Sequence, residues 1–346
     1  MTETKTNPWR WFVDVFCKKW VWQTFCVNLV YKKFDKWKGW LYLSPALILL
    51  TIFTFWPIIN TLRMSVMEDY DIMAEINGAT FSIGFGNFAS VFEDPDLPGS
   101  FLSCLKNTVL LCFLTVPLST ILALIIAVCL NAIKPLQRFL QTIFFLPYVT
   151  NSIAIGMVFA AMFHIIGTNI NGQNPMIETY GIINNVIQFF GGTPINFMDA
   201  GSPYWANIFV LVVYIIWNAL PFKILILLGG LQSVNKQSYE AAKIDATPRI
   251  RVFTRITVPL LSPMIAYVVI TGFIGGFKEY SSIVGIFGED MGIIGQAYRL
   301  DTMVGMIYRS IESNQGKASA AALVLFALIF VVTMINLYVS KKKTHY

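Results

Sequence analysis

Six long apolar runs, separated by shorter polar segments, dominate the pattern of this 346-residue chain. Each run approaches the roughly 20 residues that a helix needs to cross a bilayer. The pattern therefore predicts an all-α polytopic membrane protein whose membrane domain occupies residues 39–340. The predicted spans lie at about 40–62, 106–131, 139–163, 204–230, 257–277 and 318–340.

The distribution of charge predicts the orientation of these spans. Residues 1–38, the turn at 134–138, the loop at 236–255 and the tail at 341–346 hold 18 of the 25 Lys and Arg residues. The same segments hold only five of the 19 Asp and Glu residues. Because basic residues concentrate on the cytoplasmic side of membrane proteins, both termini and the 236–255 loop are predicted to be cytoplasmic.

Residues 1–38 form a basic and aromatic segment with eight Lys or Arg residues and five Trp residues. Phe12, Phe16 and Trp20 recur every four residues, which is the spacing of one helical face. Trp and Lys favour the headgroup zone, so we expect one or two interfacial helices there. A membrane anchor with no specific role is the simpler interpretation of this segment.

Composition excludes several other classes of protein. The chain is 56% hydrophobic and only 13% charged, whereas soluble proteins are about 25% charged. Its five Cys show no CxxC spacing and its two His lie far apart, so we expect no metal site and no catalytic site. No phosphate-binding loop of the Walker type occurs, so we expect no nucleotide or other cofactor on this chain. Nothing indicates binding of nucleic acid.

The loop before the fifth span is the most polar and basic internal segment. Ser238 is predicted to cap a short helix, with Glu240 near its positive N-terminal end. Thr247 and Pro248 suit the start of a second helix. Two short helices joined by a sharp turn would form a rigid projection on the membrane surface, suited to docking a partner. A solvated basic connector is the simpler alternative.

A spaced pattern in and after the same loop consists of Glu240-Ala241-Ala242, Asp245, Phe253, Ile256, Pro259 and Pro263. This pattern resembles the EAA motif of ABC-importer permeases, in particular the maltose-type carbohydrate importers. The resemblance extends from about Gly39 to Tyr338. One departure is Ala246, where the family usually has Gly; Ala favours helix, so we expect the helix to survive.

This resemblance implies the fold of a type I ABC importer transmembrane domain with a coupling loop at about 232–256. It implies docking on a separate ATPase, which would bind ATP and Mg, through Ser238, Tyr239, Glu240, Ala241, Ala242, Lys243, Asp245, Ala246 and Arg249. The implied partners are a second, non-identical permease subunit, two ATPase subunits and an extracytoplasmic solute-binding protein that delivers a carbohydrate. The implied location is the bacterial plasma membrane.

Polar and aromatic residues in or beside the spans could line a path for such a substrate. Sugars need hydrogen-bond partners for their hydroxyls and aromatic rings for their C–H faces. The candidates are Asn151, Ser152, Tyr214, Asn218, Glu279, Tyr280 and Ser281. The same residue types equally suit packing between helices, and Glu279 beside Lys278 equally suits a pair at the membrane interface.

Two functions of other classes remain open at this level. An ion-driven secondary transporter or channel would carry paired charges in mid-span and often inverted repeats. The predicted spans lack charges in mid-span, apart from Lys223, which we place near the inner end of the fourth. A membrane scaffold without transport activity is the remaining alternative.

Overall fold

The computed structural model describes residues 32–93, 97–133, 137–167 and 178–343. The predicted interfacial segment up to residue 31, the turn at 134–136 and the end of the tail at 344–346 lie outside the described residues. The chain divides into two compact units, Met1–Arg63 and Met64–Tyr346. Both candidate sites lie in the second unit.

Helices make up nearly all of the described secondary structure. In chain order they are α1 Lys32–Leu50, the π-helical turn Thr51–Phe55, α2 Trp56–Val66, α3 Ile72–Ile76, α4 Gly86–Val91, α5 Phe101–Ala132, α6 Gln137–Val149, α7 Ser152–Phe163, α8 Ile182–Phe189, α9 Tyr204–Ser233, α10 Lys236–Ile244, α11 Arg249–Val252, the π-helical turn Phe253–Thr257, α12 Val258–Leu260, α13 Ser262–Gly276, α14 Ser281–Phe287, α15 Met303–Ser313 and α16 Gln315–Lys343. A small antiparallel pair joins β1 Ile165–Gly167 to β2 Glu178–Tyr180, with Ile165 opposite Tyr180.

Four helical segments are long and apolar enough to cross a membrane unbroken, namely Tyr42–Val66, Phe101–Ala132, Tyr204–Ser233 and Gln315–Lys341. They coincide with the first, second, fourth and sixth predicted runs. The 32 residues of α5 amount to about 48 Å at 1.5 Å per residue. This length exceeds the hydrocarbon core of about 30 Å. The helix begins at Phe101, before the predicted start at Lys106.

The third and fifth predicted runs are bent rather than straight. Phe139–Val149 and Ser152–Phe163 meet at 99°, and Arg249–Leu260 and Ser262–Gly276 meet at 69°. At the first bend, the Asn151 side chain accepts hydrogen bonds from the backbone N–H groups of Ile153 (2.9 Å) and Ala154 (3.4 Å). Asn151 therefore caps a new helix in a new direction. Counting each bent pair as one span gives six.

The membrane-spanning core forms where α5 packs along α9. Leu111, Leu211 and Tyr214 are fully buried in it. Beside it, α7 crosses α14 so closely that a Cβ atom added at Gly156 would lie 2.8 Å from the backbone of Gly285. Glycine is required on both sides of this crossing because two backbones meet there with no room for side chains.

The N-terminal end of α5 also fixes the segment that precedes α15. The Asn107 side chain donates to the backbone carbonyls of Arg299 (3.1 Å) and Asp301 (2.9 Å). The Thr108 hydroxyl accepts from the Met303 backbone N–H at 3.0 Å. The segment between α13 and α16 thus contains two short helices, α14 and α15.

Candidate functional site

The polar loop between α9 and α13 folds into the short helix α10 followed by the turn into α11. Asn235, not Ser238, caps α10, because its side-chain oxygen accepts from the Gln237 backbone N–H at 3.0 Å. The predicted cap at Ser238 is therefore wrong by three residues, and Glu240 lies beyond the first helical turn. The second helix begins at Arg249, directly after Pro248, one residue later than the predicted start.

Ala246 explains the turn that follows α10. The Thr247 N–H donates to the Ala242 carbonyl at 3.0 Å, and the Ala246 N–H donates to the Lys243 carbonyl at 3.1 Å. This pair of bonds defines a Schellman motif, in which the residue after the cap adopts the left-handed conformation. Ala246 does so with φ +49°. The helix that was expected to survive despite Ala246 is present as α10, which ends at Ile244 before the turn.

The two faces of α10 have different environments. Ala242 is buried against its own chain, with 5% of its surface exposed, and the Tyr239 hydroxyl lies 3.3 Å from the Thr257 hydroxyl. Ser238 and Tyr239 are half-buried. The small side chain of Ala242 lets α10 pack on the loop, and its predicted docking role stays a prediction.

The outward surface of the loop consists of the remaining predicted residues, Glu240, Ala241, Lys243, Asp245, Ala246 and Arg249, all of which are exposed. Two apolar residues join them that sequence reasoning missed. Ile244 is 85% exposed and Ile250 is 79% exposed, one on each side of the turn. Their signal in the sequence was the presence of large aliphatic side chains in an otherwise polar loop.

The polar residues predicted to line a path are only partly brought together. The Tyr214 hydroxyl donates to the Ser152 backbone carbonyl, and the Asn218 amide donates to the Ser152 hydroxyl at 3.3 Å. Tyr214 is fully buried and packs α9 against α7. Asn151 caps α7 and is exposed. Their predicted places in a path stay predictions.

A cavity of about 300 Å³ opens between α5, α6, α9 and α13. Asn218 and Glu279 line it, together with residues that the sequence did not indicate, namely Thr115, Val116, Ser119, Tyr148, Ile215, Ala219, Phe222, Lys223, Thr271, Gly272, Gly275 and Gly276. The wall thus combines hydroxyls, an amide, two aromatic rings and two opposite charges. This is the mixture that a polar, ring-shaped solute requires.

Lys223 has a different position from the one predicted. It is not near an inner end but packs against the middle of α5, where its ammonium donates to the Val116 carbonyl (3.2 Å), the Ser119 hydroxyl (2.7 Å) and the Thr120 hydroxyl (3.1 Å). The residue is only 5% exposed. Among the described residues, no carboxylate lies within salt-bridge distance of this ammonium.

Tyr280 and Ser281 lie just beyond the cavity. The Tyr280 ring stacks on Tyr308 with centroids 4.7 Å apart and planes at 26°. Burial raises the pKa of the Tyr280 hydroxyl, and the neighbouring Tyr308 raises it further. Glu279 bends back to accept from the Ser282 backbone N–H at 3.2 Å. Of these neighbours only Glu279 lines the cavity.

The described residues hold no cluster of three or more His, Cys, Asp or Glu side chains that could bind a metal ion. What they do hold is a polar cavity among apolar helices and a short helix exposed between two of them. These features define a polytopic membrane protein of the transport class.

The family follows from comparison with known proteins. Residues 117–345 match the family described as the binding-protein-dependent transport system inner membrane component. This match covers most of the chain, so the chain belongs to that family. Membership confirms the predicted permease class and the predicted multi-pass location in the bacterial inner membrane. The family supplies the membrane-embedded component of these systems.

The sequences of curated relatives match this chain over nearly its whole length. The lactose transport system permease protein LacF of Rhizobium radiobacter is 28% identical over 310 residues, which cover 88% of this chain and 93% of the relative. The arabinooligosaccharides transport system permease protein AraP of Bacillus subtilis is 27% identical over 317 residues, which cover 90% of this chain and 91% of the relative.

A solved structure shares the fold. A chain of a bacterial ABC transporter involved in the import of the acidic polysaccharide alginate superposes with a TM-score of 0.70 and 22% sequence identity, covering 91% of this chain and 99% of that one. The superposition confirms the predicted all-α importer fold.

Proposed function

We propose that this chain is the permease subunit of an ATP-driven importer for a carbohydrate. The observation that carries the proposal is the exposed turn formed by α10 and α11, which presents Glu240, Ala241 and Ile244 between two membrane segments. A short rigid helix of this kind suits insertion into a cleft of a separate subunit, since small and apolar side chains allow close approach. The predicted cytoplasmic side of this loop is the side on which ATP is available.

The assembly that follows from this proposal has a second, non-identical permease subunit and two ATPase subunits that bind ATP and Mg. An extracytoplasmic binding protein would deliver the substrate. A solved relative of the same fold was crystallised in complex with a periplasmic protein bound to an alginate pentasaccharide. Closure of the ATPase dimer would draw the coupling helices together and switch the path from inward-facing to outward-facing.

A carbohydrate is the favoured substrate for two reasons. Curated relatives carry names for transport of lactose, arabinooligosaccharides and sulfoquinovosyl glycerol. The cavity beside Asn218 offers hydroxyl, amide and aromatic groups, and its volume of about 300 Å³ lies at the lower end of the range for small-molecule sites, roughly 300–1,000 Å³.

The test is reconstitution of the chain with its partner subunits in proteoliposomes. We expect uptake of a sugar from a panel that includes lactose and arabinotriose to require both ATP and the binding protein. Uptake that continues without ATP and follows an imposed ion gradient would instead establish the ion-driven alternative. A complex that lacks any ATPase after mild solubilisation would argue against the importer.

A further inference from the structure

The cavity beside α13 contains a fixed positive charge whose role the proposed function does not require. Lys223 reaches it from α9, and its ammonium lies against α13, since a Cβ atom added at Gly272 would lie 3.3 Å from the ammonium nitrogen. An ionised group at membrane depth is costly and is usually retained for a function. Hydrogen bonds to neutral oxygens satisfy its donors without neutralising its charge.

We propose that Lys223 makes this cavity selective for an acidic group on the transported solute. Resting on the proposed function, the inference names the substrate class as a carbohydrate that bears a carboxylate, sulfonate or phosphate. In a site of low dielectric constant, the attraction between an anion and the ammonium is much stronger than in water.

The hydrogen bonds of Lys223 allow its ammonium to exchange one protein acceptor for an anion. Its longest bond, 3.2 Å, goes to the Val116 carbonyl. That carbonyl also accepts from the Thr120 hydroxyl at 2.7 Å, so it stays bonded when the ammonium turns to an incoming anion. The two hydroxyl contacts hold the nitrogen in place, which limits the entropy that the side chain loses on binding.

The far end of the cavity carries the opposite charge. Glu279 follows the end of α13, whose last residue is Gly276, and lines the cavity there. Its carboxylate accepts hydrogen bonds and repels anions, so it would face the hydroxyls of a sugar whose acidic group lies at Lys223. Gly272, Gly275 and Gly276 leave the wall between the two charges without large side chains.

Two charged thiol reagents measure this preference without knowledge of the natural substrate. Ala219, which lines the cavity, is replaced by Cys in a chain whose five native Cys are replaced by Ser or Ala. The complete transporter is labelled with an anionic sulfonatoethyl methanethiosulfonate and with its cationic trimethylammonioethyl counterpart. The ratio of the two rates cancels differences in reactivity of the thiol itself.

We expect the anionic reagent to be favoured, and Lys223→Met to lower the anion-to-cation ratio by about tenfold or more. Met matches the length of the Lys stem. The Ser119 and Thr120 hydroxyls keep their bonds to the Thr115 carbonyl (2.5 Å) and the Val116 carbonyl (2.7 Å) in its absence, so the variant should fold. Glu279→Gln should raise the ratio. Lys278→Met is the matched control, because Lys278 is exposed outside the cavity and its loss should leave the ratio unchanged.

Protection of the Cys then identifies the acidic group. Millimolar digalacturonate or sn-glycerol 3-phosphate should slow labelling, and the better protector distinguishes carboxylate from phosphate. Galactobiose and glycerol, their neutral counterparts, should not slow labelling. In Lys223→Met, protection by the acidic compounds should disappear. An unchanged ratio in Lys223→Met, or equal protection by neutral and acidic sugars, would overturn the inference. If the charge preference holds while no carbohydrate is taken up with ATP, the proposed function fails and the anion site stands.

Discussion

Arg309 and Asp301 form an ion pair of 3.1 Å in which the carboxylate is completely buried. The guanidinium also donates to the Gly99 carbonyl at 2.6 Å and lies over the Tyr298 ring, 4.1 Å from its centroid. Arg309 thus joins the start of α15 to the loop before α5. Burial raises the pKa of the Asp301 carboxyl from 3.8 to about 6, although Arg309 opposes the rise.

The first prediction concerns the effect of pH on stability. Because the folded protein holds the Asp301 proton more tightly than the unfolded chain, this group's contribution is complete below pH 3.8 and is lost as pH rises through about 6. The loss amounts to about 3 kcal/mol at 1.36 kcal/mol per pKa unit. Asp301→Asn should therefore flatten the fall in melting temperature over this interval. Asp290 is an exposed carboxylate on the same loop, and Asp290→Asn should leave the pH dependence of the melting temperature as in the parent. If the melting temperatures of the parent and of Asp301→Asn fall equally with pH, the argument is refuted.

A second prediction follows from the left-handed conformation of Ala246. In this conformation a residue with a Cβ atom is less stable than glycine by about 1–2 kcal/mol. Part of this difference is offset because glycine loses more chain entropy on folding. Ala246→Gly should stabilise the turn by up to about 1 kcal/mol and slow exchange of the amide protons of residue 246 and Thr247, which donate its two hydrogen bonds. Ala241→Gly, inside α10, should do the opposite by a similar amount. Faster exchange in Ala246→Gly would mean that the turn does not adopt this geometry.

The crossing of α7 and α14 gives a third prediction. Gly156→Ala places a methyl group against the backbone of Gly285, and overpacking of this kind costs about 1–3 kcal/mol. The melting temperature of the purified protein should fall. Gly229→Ala is the matched control, since an added Cβ atom meets nothing within 4 Å and alanine favours helix. If both variants melt alike, the two helices do not meet through their glycines.

The sequence was sufficient to predict the membrane class, the positions of the long helices and the short helices of the loop between α9 and α13. Each of these features depends either on the length of an apolar run or on residues that are close together in the chain. The bends at Asn151 and Leu261 were not predicted, because hydrophobicity summed over a run carries no information about direction. The contact of Lys223 with Ser119 and Thr120 joins residues about a hundred positions apart, and no local pattern records it. The burial of Ala242 and the exposure of Ile244 were not predicted either, because each residue rotates a helical side chain by about 100° and the sequence does not show which face of α10 meets its own chain.

The fourth prediction separates docking from folding in the loop. Glu240, Ala241 and Ile244 share the exposed face of α10, whereas Ala242 faces its own chain. Ala241→Trp adds bulk where a partner would approach, and Glu240→Lys reverses a charge that could pair with a basic group of the ATPase. Ile244→Asp removes the exposed apolar anchor and places a charge where a docked partner would exclude water. Each change should leave the permease folded in the membrane.

All three variants should abolish uptake and either release the ATPase on purification or leave it bound but unresponsive to the loaded binding protein. Truncation of a well-packed apolar anchor commonly costs about 2 kcal/mol or more of binding free energy, which is about a thirtyfold loss of affinity at 1.4 kcal/mol per tenfold. Ala242→Trp, in contrast, should disrupt the loop itself, with faster proteolysis there. The measurement is uptake together with ATPase co-purification from membranes that hold equal amounts of each permease. Normal uptake in Ala241→Trp, Glu240→Lys and Ile244→Asp would mean that the loop is only a solvated connector, and the importer proposal would lose the contact on which it rests.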